Sequence, residues 1–229
     1  MRRTRPEGIP SAILACFLFF VAAGACPAAT ELKSENIREK YDNVSVEIRY
    51  PVTVNDQVNR AIEEWSRTEL SRFQASVPKN PENPDWKFHL IVDYSCSGFS
   101  SRIASFLFRI ESFTGGAHPD HRIRSVTYDL QTAREIRVED IFKDKGSLQR
   151  ISDIAVSEIL RDERVTDRDW VLRGAGPGRD NFRNFMLHPD KIVFYFAPYQ
   201  VAPYYLGERR VEIRWERIRE FLRGEFRRE

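Results

Sequence analysis

The chain has 229 residues, of which 41% are hydrophobic and 12% aromatic, enough to bury the core of one large domain or two small ones. That excludes a disordered tail or a collagen-like fibre, and with 31% charged residues and a single apolar run, at the amino terminus, it also excludes a polytopic membrane protein. The formal net charge of +2 traces to Arg2, Arg3 and Arg5 against Glu7; beyond residue 25 acids and bases are equal in number, so no global field draws the chain to nucleic acid or anionic lipid.

Residues 1–25 have the organisation of an export signal. Arg2, Arg3 and Arg5 form a positive start, Ala12–Ala23 an apolar run, and Ala23-Gly24-Ala25-Cys26-Pro27-Ala28-Ala29 a small-residue exit. The run is roughly half the 20 residues that a spanning helix needs, which favours a cleaved signal over an anchor. Cleavage is expected before Cys26 or as late as after residue 29. The chain is then exported, either periplasmic or a membrane-anchored lipoprotein facing the periplasm. Small residues before Cys26 resemble a bacterial lipoprotein box, although Ala23 stands where the box usually has Leu. Cys26 is thus a lipidation candidate; unlipidated, it has Cys96 as a disulfide partner in an oxidising compartment. Cys16 leaves with the signal, and Cys96 otherwise reads as a small, partly buried side chain.

Residues 26–42 read as a polar leader. Val44, Val46, Ile48 and Tyr50 alternate with polar residues and predict a half-buried strand over Val44–Tyr50, ended by Pro51. Val58, Ile62, Trp65, Leu70 and Phe73 recur at helical spacing and give Asn55–Phe73 one apolar stripe, capped by Asn55 or Asp56. Pro78, Pro81 and Pro84 mark the best internal boundary. Strands follow at Lys87–Tyr94, Ile103–Phe113 and, after a glycine turn, Arg122–Leu130, with a short one at Glu135–Val138. Leu148–Leu160 is predicted helical with Ser147 as cap. Gly174–Gly178 reads as a flexible loop and Phe182–Leu187 as a short element. Lys191–Ala197 and Arg210–Trp215 are strands, and Ile218–Phe226 a closing amphipathic helix. Strands come in neighbouring runs rather than in βα alternation. That predicts an α+β fold of mainly antiparallel sheets flanked by a few helices.

The most unusual segment is Thr114-Gly115-Gly116-Ala117-His118-Pro119-Asp120-His121. Gly115 and Gly116 admit positive φ, and Pro119 stiffens the exit. His118, Asp120 and His121 are three candidate metal ligands, or a His–Asp pair for proton transfer, but no HExxH helix surrounds them. The plainer reading is a hairpin connection whose His118 bonds its own loop. Gly174–Gly178 lacks the Gly-Lys-Ser/Thr ending of a phosphate loop, and there is no Gly-x-Ser-x-Gly elbow. The carboxyl-terminal arginines, among them Arg209, Arg210, Arg214 and Arg217, alternate with Glu208, Glu212 and Glu216 and read as an ion-paired face. The aromatic stretch Phe194–Gly207 sets Tyr199, Tyr204 and Tyr205 in a proline-bounded loop, suited either to packing or to contact with a ligand. Rigid loops of this kind gather where strands end, so Gly115–Pro119 is expected to pack against Ala197–Gly207. His118 is expected to hydrogen-bond a carbonyl or a tyrosine hydroxyl there.

Thr114-Gly115-Gly116-Ala117-His118-Pro119, followed some eighty residues later by Phe196-Ala197-Pro198-Tyr199-Gln200-Val201-Ala202-Pro203-Tyr204-Tyr205-Leu206-Gly207, resembles the extracytoplasmic domain shared by the anti-sigma factor RsiV and the peptidoglycan deacetylase PdaC. Tyr128–Thr132, Val138–Phe142 and Ile48–Pro51 with the helix after it are similar to the same family. The resemblance implies two intimately packed halves, 43–113 PdaC-like and 114–229 RsiV-like, outside the cytoplasm. It carries neither the deacetylase domain of the one nor the sigma-binding segment of the other into this chain. The function expected is a non-enzymatic binding or sensing module of the cell envelope for a cell-wall-related or protein ligand. Its candidate contacts are Gly115, Gly116, His118, Tyr199, Tyr204 and Tyr205. No cofactor, metal or nucleic acid is expected, and contact with a membrane only through Cys26. The alternative is a small envelope hydrolase using His118, Asp120 and His121, with or without a metal.

Overall fold

The computed structural model describes residues 32–227; the segment read as an export signal, Cys16 and Cys26 lie outside the described residues. Among the described residues nine strands form two sheets. Six of them, β1 (Lys33–Tyr41), β2 (Val44–Val52), β3 (Phe88–Gly98), β4 (Ile103–Phe113), β5 (Asp120–Asp129) and β6 (Arg134–Glu135), lie side by side in chain order. Every neighbouring pair is antiparallel except β2 and β3, which are joined by the long helix α1 (Asp56–Ser76) and run parallel. The other three, β7 (Phe185–Leu187), β8 (Lys191–Phe196) and β9 (Arg209–Arg214), form a second antiparallel sheet. Between the sheets in sequence come the one-turn helix α2 (Val138–Ile141), α3 (Lys145–Ile159) and α4 (Arg168–Ala175).

Alternation sorts these strands into layers. On one face of the large sheet Val46, Ile48, Leu90, Val92, Phe106, Phe108 and Val126 pack against Val58, Ile62, Leu70 and Phe73 of α1. On the other face Leu107 and Ile123 meet Met186, Val193 and Tyr195 of the small sheet. The opposite face of the small sheet, with Phe185, Leu187, Ile192, Phe194 and Ile213, packs on Ile151, Ala155 and Ile159 of α3 and Val171 of α4. The order of layers is therefore helix, large sheet, small sheet, helices.

The contact between the sheets is partly polar. Ser105, fully buried, accepts from the backbone N–H of Leu187 (3.0 Å) and bonds Thr127 (2.8 Å). Ser97 donates to the Leu187 carbonyl. Ser125 accepts from Phe185 N–H (2.7 Å) and donates its own N–H to Asn184 Oδ1 (2.9 Å). Backbone groups of β7 that no strand could reach are thus satisfied by serines of the larger sheet.

Several expectations need correction. The stretch read as a polar leader contains β1. Its side chains are exposed apart from the half-buried Ile37 and Glu39, so little alternation marks it; a two-residue connection, Asp42-Asn43 with Asp42 at φ +45°, folds it onto β2. Pro51 does not end β2, because it lies past the last β2–β3 pair (Ile48 with Val92), where a missing N–H is tolerated. The Pro78–Pro84 segment joins α1 to β3 rather than dividing domains, and the 113/114 division falls at the β4–β5 turn inside one sheet. The cap of α3 is Asp144, which accepts from Ser147 N–H, and not Ser147 itself. Gly174 and Ala175 belong to α4 rather than to a flexible loop. The closing helix is reduced to the single turn α5 (Trp215–Ile218) and two short 3-10 turns, with Phe142 and Leu222 bridging between them and α2.

Candidate ligand-binding groove

The segment after β8 is built around Gln200. Its side chain accepts from Ala197 N–H (3.1 Å) and donates to the carbonyls of Gly174 and Asn181 (2.9 Å each). This draws the loop against α4 so closely that a β-carbon on Gly174 would lie 1.8 Å from the Gln200 carbonyl oxygen. Tyr199, at φ +68°, is one of three non-glycine residues in the left-handed region among those described. Its carbonyl accepts from Trp170 Nε1 (2.9 Å), and its ring is 58% exposed. A strained backbone that displays an aromatic ring to solvent is a feature expected at sites of function.

The β4–β5 turn supports this loop from the side. His118 stacks on Tyr204 with ring centroids 4.6 Å apart, and the Tyr204 ring lies tilted against that of Tyr199 at 5.2 Å. The Tyr204 hydroxyl donates to the Pro119 carbonyl (2.6 Å), which His118 Nδ1 also approaches (2.8 Å). A carbonyl only accepts, so the Nδ1 proton is in place. Burial pushes the Tyr204 phenol up, helped by Asp120, Tyr199 and Glu111, and it stays a neutral donor. Gly115 (φ +113°) and Gly116 (φ +101°) make the turn, and Trp86 packs on Gly115.

The two loops close one end of a groove of about 670 Å³ between α1, β5 and residues 197–204. Its floor is an ionic cluster. Glu69 sits on the buried stripe of α1, 4% exposed, and its carboxylate is held by Arg72 and by Arg122 of β5 (3.1 Å), which also pairs with Asp120 (3.1 Å). Both oxygens of this buried carboxylate are thus paired with a guanidinium. Beside it the Arg124 guanidinium lies 5.3 Å from the centre of the Trp65 ring, which rests on Phe108 (4.5 Å). Arg183, Tyr199, Tyr204 and His121 complete the walls.

Of the residues singled out in the sequence, Gly115, Gly116 and His118 share the β4–β5 turn, where His118 stacks on Tyr204, and Asp120, His121, Tyr199 and Tyr204 line the groove. Tyr205 is 77% exposed and outside the groove. The bond expected from His118 to the aromatic segment is reversed: His118 bonds its own loop, and Tyr204 reaches across to the same carbonyl. His118, Asp120 and His121 do not form a relay, since Asp120 serves Arg122 and His121 faces Glu111 (3.7 Å), which His89 also contacts (3.0 Å). Among the described residues no three His, Cys, Asp or Glu are arranged to hold a metal ion, and no helix is long and apolar enough to cross a membrane. Sequence reading missed Trp65, Glu69, Arg122, Arg124 and Arg183 as site residues. One signal was present: Glu69 stands seven residues after Ile62, the one charged residue on the buried stripe of α1.

The fold and the groove define an α+β module with an open, aromatic and arginine-rich cleft. Residues 139–216 match the family model described as "Protein of unknown function (DUF3298)". The chain is 28% identical over 182 residues to the peptidoglycan-N-acetylmuramic acid deacetylase PdaC of Bacillus subtilis, covering 78% of this chain and 39% of that protein. It is 28% identical over 94 residues to the esterase Rv3036c of Mycobacterium tuberculosis, covering 41% of this chain and 40% of the esterase. The chain thus spans about two fifths of the length of these curated relatives. Two solved structures share the fold. A DUF3298 family member from Bacteroides fragilis has TM-score 0.57 at 18% identity, covering 85% of this chain and 94% of its own. One from Pseudomonas aeruginosa has TM-score 0.57 at 14% identity, covering 87% and 98%.

Proposed function

We propose that the chain is an exported, non-enzymatic binding module of the bacterial cell envelope that takes a cell-wall-related or protein ligand in the groove between α1, β5 and residues 197–204. The observation that carries this is Tyr199: its left-handed backbone, held by Trp170, costs about 1–3 kcal/mol and leaves the residue 58% exposed at the groove, with its ring beside that of Tyr204. Sequence similarity to a peptidoglycan deacetylase supports a wall-related ligand, and the signal-like amino terminus supports export. The hydrolase alternative finds less support. Asp120 pairs with Arg122 and not with His118 or His121, so these three do not form the His–Asp pair that it calls for. The test is co-sedimentation of the purified protein with cell-wall sacculi and its binding to solubilised envelope proteins. Saturable binding lost in Tyr199→Ala and Tyr204→Ala is expected. Hydrolysis of an acetyl ester that disappears in His118→Ala or His121→Ala would overturn the reading.

A further inference from the structure

The charges in the groove are not all matched. Arg72 and Arg122 are committed to Glu69, and Asp120 is committed to Arg122. Arg124 and Arg183 also line the groove, yet no carboxylate among the described residues lies within ion-pair distance of either. Their backbones are held close, since Ser125 N–H donates to Asn184 Oδ1 (2.9 Å) and the Ser125 hydroxyl to the Arg183 carbonyl (3.4 Å), and both residues line the same groove. The Arg124 guanidinium is already ordered over Trp65, which lowers the entropy lost when it binds an anion. On α1, Glu64 is the one remaining acid among the lining residues without an ion pair. Two free cations against one acid leave a single positive charge.

We propose that the groove takes an acidic saccharide, whose carboxylate is held by Arg124 and Arg183 while the apolar face of its sugar ring lies on Tyr199. This rests on the groove being the ligand site. A singly charged carboxylate matches the surplus; a doubly charged phosphate would exceed it and be repelled by Glu64. The exposed ring of Tyr199 offers a flat apolar surface to a pyranose face, and Thr68, Glu64 and Asp120 offer acceptors to its hydroxyls. A guanidinium fork recognises a carboxylate through paired N–H donors, which gives the site direction as well as charge.

Isothermal titration of the purified chain with trigalacturonate, N-acetylmuramic acid, chitotriose in its fully N-acetylated form and adenosine monophosphate tests this. The first two carry the acid on the ring and on a side arm respectively, the third is a neutral saccharide, and the fourth a phosphate beside an aromatic base. Binding of at least one acidic sugar is expected, weakened about tenfold or more by Arg124→Gln and by Arg183→Gln. It should be weakened by raised salt and strengthened by Glu64→Gln, with thermal midpoints unchanged because all three side chains are exposed. Chitotriose or the nucleotide binding as tightly as the acids, or indifference to both arginine variants, overturns the inference. If no saccharide binds but an envelope protein does so in a Tyr199-dependent way, the inference fails and the groove reading stands. If neither binds, both fail.

Discussion

Gly174→Ala probes the junction on which the groove depends. In a solvent-exposed helix this change would stabilise by up to about 1 kcal/mol through helix propensity. Here the new β-carbon would sit 1.8 Å from the Gln200 carbonyl oxygen, 2.7 Å from its carbon and 2.9 Å from Val201 Cγ1. The first two neighbours are backbone, so the loop itself must retreat by more than 1 Å to reach van der Waals contact. Overpacking of this kind costs about 1–3 kcal/mol. The retreat also stretches the Gln200 side-chain bonds to Gly174 O and Asn181 O, each worth about 0.5–1.5 kcal/mol. With the propensity gain subtracted, a net loss of about 2–4 kcal/mol is expected, a fall in midpoint of about 5–15 °C for a domain of this size. Urea titration followed by tryptophan fluorescence measures the loss. The same variant should weaken any ligand that contacts Tyr199, since that residue directly precedes Gln200. Stability equal to wild type, or higher, would refute the close approach and with it the account of why Tyr199 is held in place.

Gly115→Ala should cost more than Gly116→Ala, about 2–3 against 1–2 kcal/mol. Both residues have positive φ, but only at Gly115 does a β-carbon meet a neighbour, Trp86 Cζ3 at 2.7 Å; equal losses would count against the packing. Ser105→Ala leaves the buried Leu187 N–H and the Thr127 hydroxyl without their partner and should cost about 1–3 kcal/mol, whereas a neutral result would mean that the sheets are not joined there. Burial works to raise Asp129, but the N–H groups of Gln131 and Thr132 and the nearby Arg102 more than offset it, so its carboxyl lies below the ordinary value near 4. Its stabilisation is present above that value and lost as pH falls through the depressed one; acid titration of Asp129→Asn should show lower stability at neutral pH and a shallower decline below about pH 4.

Most of the large sheet was legible because β2 and β3 bury one face and expose or soften the other, while β4, buried on both faces over residues 103–108, reads as a continuous apolar run. Phe88, Leu90 and Val92, then Phe106 and Phe108, keep period two over several residues, and β4 has the predicted bounds Ile103–Phe113. The α1 stripe was equally plain, with Asn55 as its cap, accepting from Gln57 and Val58 N–H. Elements that bury little, or bury through backbone, were not legible. β1 is an exposed edge and shows little pattern. The segment around Gly174 looked like a loop because glycine is a poor helix former, yet it is there to let a carbonyl approach. At the site, the turn and the aromatic loop were recognisable by composition, and their meeting at Tyr204 follows from loops gathering where strands end. Arg124 and Arg183 carry no local signal. Their backbones are held close by hydrogen bonds between residues 59 apart, and sequence periodicity does not encode such pairing.

The groove has walls from two different sheets, and this explains why the seam between them is built from serines. One wall is α1 and β5 on the large sheet; the other is the loop that leaves β8 of the small one. Apolar contact such as that of Leu107 with Met186 and Val193 is non-directional and would allow the sheets to slide by a fraction of an ångström. Hydrogen bonds from Ser97, Ser105 and Ser125 to individual backbone atoms of β7 do not, because they weaken steeply off axis. The same bonds that pair Ser125 with Asn184 hold the backbones of Arg124 and Arg183 close, so the polar seam fixes both the width of the groove and the backbone spacing of its two free cations.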